Sequence, residues 1–269
     1  SEAGTIAYDY DIAGRLTKVI SKDGPTSYTY DKAGRRTETL YPNQIKATYF
    51  YDQTDRLLSL THNSLSNPTL KLPSSTYTYD NVGNRLSMKD NEGTHTYTYD
   101  NLYQLTSVTY PLGTKNEYTY DKVGNRLTLK EGTKTTAYTY DQANRLLKRD
   151  KSTYTYDKNG NTLKEQRPNK DFIYSYDLEN RLTKVQKENK TINYTYDALG
   201  RRAKKAVVSG KTTNFYHDGF DVLFETNEKD KLKQSYVHGG RIDEILTSNG
   251  NTYLQDGLGS TTSLHNSQG

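Results

Sequence analysis

The sequence contains no cysteine and no tryptophan, and only one methionine, five phenylalanines and six prolines. Without cysteine there is no disulfide and no thiolate metal ligand, and the redox compartment is left open. Long apolar runs are also missing: none approaches the roughly 18 residues of a membrane-spanning helix. No signal-peptide pattern is present, and the sequence starts in mid-pattern, which reads as a piece of a longer array. Hydrophobic residues make up 32% of the 269, and the mean hydropathy of −1.00 is low for a packed globule. Neither sign of charge dominates, with 37 Lys+Arg against 32 Asp+Glu. Spread along the chain, this charge reads as solvated and edge-protecting, so nucleic acid is not an expected partner.

What the sequence has in quantity is tyrosine, 26 residues held in register, which argues against the disorder that such a composition would otherwise signal. Tyr-x-Tyr-Asp recurs at Asp11, Asp31, Asp52, Asp80, Asp100, Asp121, Asp141, Asp157, Asp177 and Asp197. The successive spacings are 20, 21, 28, 20, 21, 20, 16, 20 and 20 residues. A period in this range means a small supersecondary unit stacked many times. Tyr-x-Tyr places two rings on one face of an extended strand, and the intervening residue, Thr in seven copies, suits the opposite, wetter face. Tyrosine is then the main interior residue, which favours a sheet with one Tyr-coated face over a filled sandwich. The expected structural face comprises Tyr28, Tyr30, Tyr77, Tyr79, Tyr97, Tyr99, Tyr118, Tyr120, Tyr138, Tyr140, Tyr154, Tyr156, Tyr174, Tyr176, Tyr194 and Tyr196.

Asp-x-x-Gly follows, in which the Asp side chain accepts backbone N–H bonds and the fourth residue needs positive φ. The clearest turn pairs are Asp31 with Gly34, Asp80 with Gly83, Asp121 with Gly124, Asp157 with Gly160, and Asp197 with Gly200. Of the ten fourth positions, only Tyr103 is not Gly, Asn or Asp. The unit continues as Gly-Arg-Leu, as at Gly14-Arg15-Leu16, or as Gly-Asn-Arg-Leu, as at Gly124-Asn125-Arg126-Leu127. An inserted residue would invert every later side chain unless a bulge absorbed it, so a bulge is expected beside the turn. Each repeat is therefore a β-hairpin feeding into the next, and the fold class is all-β.

The regular hairpin array occupies residues 1–205, broken at 61–76, where Pro68 and Pro73 indicate an irregular surface loop. Residues 206–269 carry three altered units, at Phe215-Tyr216-His217-Asp218, Ser235-Tyr236-Val237-His238 and Tyr253-Leu254-Gln255-Asp256. Thirteen units give roughly 26 strands, a ribbon on the order of 120 Å long that is expected to curl over its Tyr face. No residue is assigned a catalytic, cofactor or metal role. His62, His95, His217, His238 and His265 lack metal-ligand spacing, and one Asp per turn suits turn capping better than cation binding.

Tyr-x-Tyr-Asp-x-x-Gly-Arg-Leu and its Gly-Asn-Arg-Leu variant resemble the tyrosine-aspartate (YD) repeats of the Rhs and teneurin superfamily. Tyr236-Val237-His238-Gly239, Asp243-Glu244-Ile245-Leu246 and Asp256-Gly257-Leu258-Gly259-Ser260 resemble the Rhs core more specifically, with Ile245 where that pattern usually has Pro. The resemblance covers residues 5–269 and extends to bacterial wall-associated and polymorphic toxin proteins. It implies an antiparallel strip spiralling into part of a hollow shell, which in such toxins encloses a toxic C-terminal domain. It further implies a secreted, cell-surface or cell-wall location in bacteria, with the C-terminal effector of the same polypeptide as partner. The closing autoproteolytic segment of the family would lie beyond Gly269, so this chain is not expected to be an enzyme. A carbohydrate or cell-surface binding module using exposed Tyr rings is the alternative, with cell-wall or surface glycans as partners.

Overall fold

The structure, a computed structural model, describes residues 4–266. Residues 1–3 and 267–269, at the outer ends of the two sequence segments, lie outside the described residues. Among those described there are 26 strands, from Ala7–Tyr10 to Thr261–His265, and no helix. They form one sheet of antiparallel hairpins, so the fold is all-β, as the alternating Tyr and Thr pattern requires.

The hairpins share one irregularity. In nine of the ten Tyr-Asp units the register slips by one residue just before the second tyrosine. In the first, Asp9 faces Lys18 but Tyr10 faces Leu16, which leaves Thr17 without an opposite number. In the Gly-Asn-Arg-Leu form the slip is the same: Thr119 faces Thr128, Tyr120 faces Arg126, and Leu127 is passed over. The two forms therefore have equal backbone length, and the bulge belongs to both. What differs is the occupant of each place, counted from Asp. Arg126 stands where the first unit has Leu16, and Leu127 is the bulged residue. Burial follows the place: Leu16 is 7% exposed, whereas Leu86 and Leu127 are 42% and 38% exposed.

The stretch 61–76 is less irregular than its prolines suggest. The strand Leu57–Ser64 runs into it and the strand Ser74–Tyr79 begins within it, so 65–73 alone is non-strand. The Ser59 to Thr61 segment pairs with Ser74 to Thr76, which places both prolines in the connection. Leu72, between them in sequence, is buried.

The chain divides into two compact units. One holds Ser1–Thr96, His217–Phe224 and Leu232–Gly269, and the other Tyr97–Tyr216 and Glu225–Lys231. These do not follow the sequence boundary at residues 205 and 206, because strands of the altered segment pack on the first repeats. In the first unit, Val237, Leu246 and Leu254 join Leu16, Val19, Tyr28, Ile45 and Leu60 in one buried cluster. The Tyr face there is thus covered, and the unit has the filled interior that the composition argued against. The altered segment supplies the cover by burying Val237, Leu246 and Leu254, one on each of the strands Leu232–His238, Ile245–Ser248 and Asn251–Gln255.

Polar links fix this cover in place. Thr247 Oγ1 donates to Asp23 Oδ2 at 2.7 Å, and the Gly257 N–H donates to the Tyr77 hydroxyl at 3.1 Å. Deeper, Arg36 and Glu244 form a bidentate ion pair, 4% and 5% exposed, with the Arg36 guanidinium 4.2 Å over the Tyr28 ring. Any side chain at Gly239 would collide with the Glu244 carboxylate. The second unit packs less deeply, its large buried apolar residues being Val108 and Tyr138 among those described.

Removing one partner of a buried pair leaves a charge without compensation. Glu244→Gln is expected to destabilise the first unit by about 3–5 kcal/mol, whereas the double substitution Arg36→Met with Glu244→Leu costs less. Urea unfolding of the three proteins checks this, and equal losses in single and double variants would count against it.

Candidate functional site

The most regular array of polar groups is the ladder of Asp turns. At Asp121, Oδ1 accepts from the N–H groups of Val123 and Asn125 at 3.0 and 2.8 Å, and Oδ2 accepts from the Asn125 amide at 2.9 Å. The Gly124 N–H returns to the Asp121 carbonyl at 3.2 Å. Asp31, Asp80, Asp157 and Asp197 accept the same two backbone bonds. Their partners Gly34, Gly83, Gly160 and Gly200 have φ of 82, 100, 88 and 78°, and Gly124 has 94°. Tyr103 takes the same place at 62°, so the Asp100 cap imposes left-handed backbone on a residue that disfavours it.

The two tyrosines of each unit have different surroundings. Of the sixteen face residues named above, Tyr28, Tyr77 and Tyr138 are buried and the other thirteen are half-buried. The second tyrosine reaches back to the preceding hairpin. Seven of them, Tyr30, Tyr51, Tyr79, Tyr120, Tyr140, Tyr156 and Tyr196, donate from the hydroxyl to a backbone carbonyl at 2.6–3.0 Å. The acceptor is always the residue five after the preceding Asp. For Tyr30 it is Leu16, where the ladder with the next strand has ended: that ladder runs from Lys18 opposite Ser27 to Ser21 opposite Gly24. The hydroxyl satisfies a carbonyl beside the bulge, as a partly buried backbone acceptor requires.

The residue four after Asp makes the second link. Where it is Arg, its Nε donates to its own Asp, and its guanidinium lies 5.0–5.2 Å over the second tyrosine of the next unit: Arg15 on Tyr30, Arg35 on Tyr51, Arg56 on Tyr79, Arg145 on Tyr156, and Arg181 on Tyr196. Where it is Asn, as at Asn125 and Asn161, it reaches the left-handed residue of the next turn instead. Asn125 donates to Asn144 Oδ1 at 2.9 Å and Asn161 to Asn180 Oδ1 at 2.7 Å. Arg35 likewise donates to Asp55 at 2.8 Å. Arg35 thus meets an acid in the next turn, and Asn125 and Asn161 each meet an Asn.

Other titratable groups are held within the sheet. Burial pushes the His62 imidazole down, and its Nδ1–H donates to the Pro73 carbonyl at 2.8 Å. His238 Nε2–H donates to the Val222 carbonyl at 2.8 Å. In the second unit, Arg167 holds the buried Glu165 carboxyl below its usual range, and Tyr154 donates to the same carboxylate at 3.0 Å. Among the described residues no three His, Asp or Glu side chains converge as a metal site would require.

Sequence reading missed one cap. Asn227 accepts from the N–H groups of Lys229 and Lys231 at 2.9 and 3.0 Å, and Asp230 beyond it has φ of 55°. Phe224-Glu225-Thr226-Asn227 is therefore an altered copy with Asn in place of Asp, whereas Asp218 leads into a tighter turn at Gly219. The signal was Asn, two residues, then Asp at the left-handed place.

Tyr120→Phe removes the hydroxyl donated to Leu105 and keeps the ring, so a loss of about 1 kcal/mol is expected in urea unfolding, against roughly 3 kcal/mol or more for Tyr120→Ala. No loss in Tyr120→Phe would mean that the bond contributes nothing beyond the ring. The caps also set a pH dependence. The Arg15 N–H holds Asp11 below the usual carboxylate range, the Asn125 amide does so for Asp121, and the Asn161 amide for Asp157. A lowered folded pKa contributes stability that is complete above the unfolded value of about 4 and lost as pH falls through the folded one. The urea midpoint should therefore fall steadily as pH drops below about 4, and a midpoint flat down to pH 2 would contradict the cap assignment.

Comparison with known proteins follows the same pattern. A solved Photorhabdus luminescens Tc holotoxin pore carrying a TccC3 substitution aligns over 97% of this chain with a TM-score of 0.54 and 16% identity, which is a likeness of fold. A TcdB2-TccC3-Cdc42 crystal structure aligns over 87% at 0.50 and 16% identity. The chain spans 17% of each of those chains. The tRNA3(Ser)-specific nuclease WapA of Bacillus spizizenii is 38% identical over 64 residues, 23% of this chain and 3% of the relative. An RHS-repeat family model matches residues 10–46. The model described as Teneurin YD-shell matches residues 81–241, more than half of the sequence and including six of the Tyr-Asp turns, so the chain belongs to the Teneurin YD-shell family.

Proposed function

We propose that this chain is a scaffold segment of a YD shell that encloses or displays a C-terminal effector domain of the same polypeptide. The observation that carries this reading is where the recurrent groups point. Each Asp closes its own turn, and seven of the second tyrosines, five arginines and two asparagines after the turn engage the neighbouring hairpin. The recurrent chemistry of the unit is thus directed at propagating the sheet. The segment itself is a non-enzyme, and it works secreted or at the surface of a bacterial cell. The relatives' names, a holotoxin pore and a tRNA-directed nuclease, suit an effector carried on such a scaffold.

A second reading rests on the second unit, where Tyr138 is buried but the other face tyrosines keep partial access to solvent. Rings of this kind stack on sugars, so a carbohydrate or cell-surface contact is consistent with them. Isothermal titration of the chain with cell-wall polysaccharide tests it, and absence of heat at saturating glycan would remove it.

The scaffold reading is tested on the full-length polypeptide that carries these residues. Under native conditions, the part following the array should resist a broad-specificity protease and become cleavable once the array is unfolded by urea. Cleavage at the same rate with and without urea would overturn enclosure.

A further inference from the structure

The first unit holds a cleft of about 390 Å³ between the first Tyr-Asp turns and the altered segment. Its lining contains four guanidinium groups, from Arg15, Arg35, Arg36 and Arg241, and no carboxylate. Two walls are the rings of Tyr30 and Tyr51, with Arg15 and Arg35 stacked on them at 5.0 and 5.1 Å. We propose that this cleft binds an anionic sugar, a ring carrying a carboxylate or phosphate group that the arginines grip.

The arginines differ in how far their charge is already answered. Arg15 is paired through Nε with Asp11, and Arg35 with Asp31 and Asp55. Arg36 is paired with Glu244 through its terminal nitrogens, yet its Nε is buried and has no hydrogen-bond partner. Arg241 forms no ion pair among the described residues. It lies 5.7 Å over the Tyr49 ring and lines the cleft beside Tyr51. A guanidinium has five N–H donors in a fixed fork, and the cleft thus offers donors beyond those used by the protein's own acids. Carboxylate and phosphate fit that fork with two parallel bonds.

Size and wall chemistry select the body that carries the anion. Sites for small molecules usually enclose about 300–1,000 Å³, so this cleft holds a single sugar-sized ring and its charged group. The tyrosine hydroxyls are already donated to Leu16 and Arg36 carbonyls, so the two tyrosines line the cleft as apolar walls that add no competing donor. The inference concerns the first unit and is independent of the glycan reading, which rests on the tyrosines of the second.

Titration calorimetry of the purified chain with glucuronate, glucose 6-phosphate, inorganic phosphate and glucose tests the proposal. Glucuronate or glucose 6-phosphate should bind roughly tenfold or more tightly than glucose and than phosphate, and which of the two binds better identifies the carboxylate or the phosphate as the native group. Arg241→Gln, on an exposed residue, should weaken that binding roughly tenfold or more without moving the thermal midpoint, and Arg241→Lys should restore part of it. No preference for the anionic sugars, or binding unchanged in Arg241→Gln, overturns the proposal.

Discussion

The array depends on a carbonyl that its own sheet leaves unpaired. Each hairpin bulges one residue after its turn, the ladder to the next strand stops short of that point, and the acceptor beside the bulge must find a donor elsewhere. The second tyrosine of the following unit is that donor. A residue with an apolar ring and a polar tip thereby closes both the packing and the hydrogen-bond requirement of the junction. This explains how a chain with mean hydropathy of −1.00 builds a sheet from 26 tyrosines. Phenylalanine would fill the space and leave the carbonyl bare, and serine would reach nothing.

The turn and the bulge are mutually dependent. Asp accepts the N–H groups that the tight reversal exposes, and the left-handed fourth residue brings the chain back into register for the slip. That the turn dictates the backbone, rather than its glycine, is evident at Tyr103, which takes a positive φ because Asp100 and the flanking ladder hold it there. The relation between the two units follows from what meets the Tyr face. In the first, apolar strands of the altered segment bury Tyr28, Tyr49 and Tyr77, while in the second most rings retain access to water.

The repeating part of this was legible in the sequence because it is local: Tyr-x-Tyr fixes a strand face, and Asp-x-x-Gly fixes a turn. The bulge stands beside the turn as expected, but it belongs to both forms and not to the longer one alone, for an instructive reason. Aligning Gly-Arg-Leu with Gly-Asn-Arg-Leu by their shared leucine suggests an insertion, whereas counting from Asp shows that Leu16 and Arg126 occupy one place and Leu127 another. The cover over the first repeats left no comparable trace. Arg36 and Glu244 are separated by 208 residues, and nothing in the pattern around either announces the other. Asn227 escaped because its copy has lost both tyrosines and kept only the cap.

The link between the residue four after one Asp and the left-handed residue of the next turn gives each junction its own fit. Arg15 stacks on Tyr30, Arg35 reaches Asp55, Asn125 reaches Asn144, and Asn161 reaches Asn180. Units that look alike are therefore not interchangeable. Recombination that deleted the repeat of Asp141, for example, would bring Asn125 against the turn of Gly160, where a short amide meets no acceptor side chain and the stacking once made by Arg145 on Tyr156 is lost. Such an array can lengthen or shorten readily only where the new neighbours happen to match, which makes its number of hairpins a heritable property of the junctions and not of the repeats.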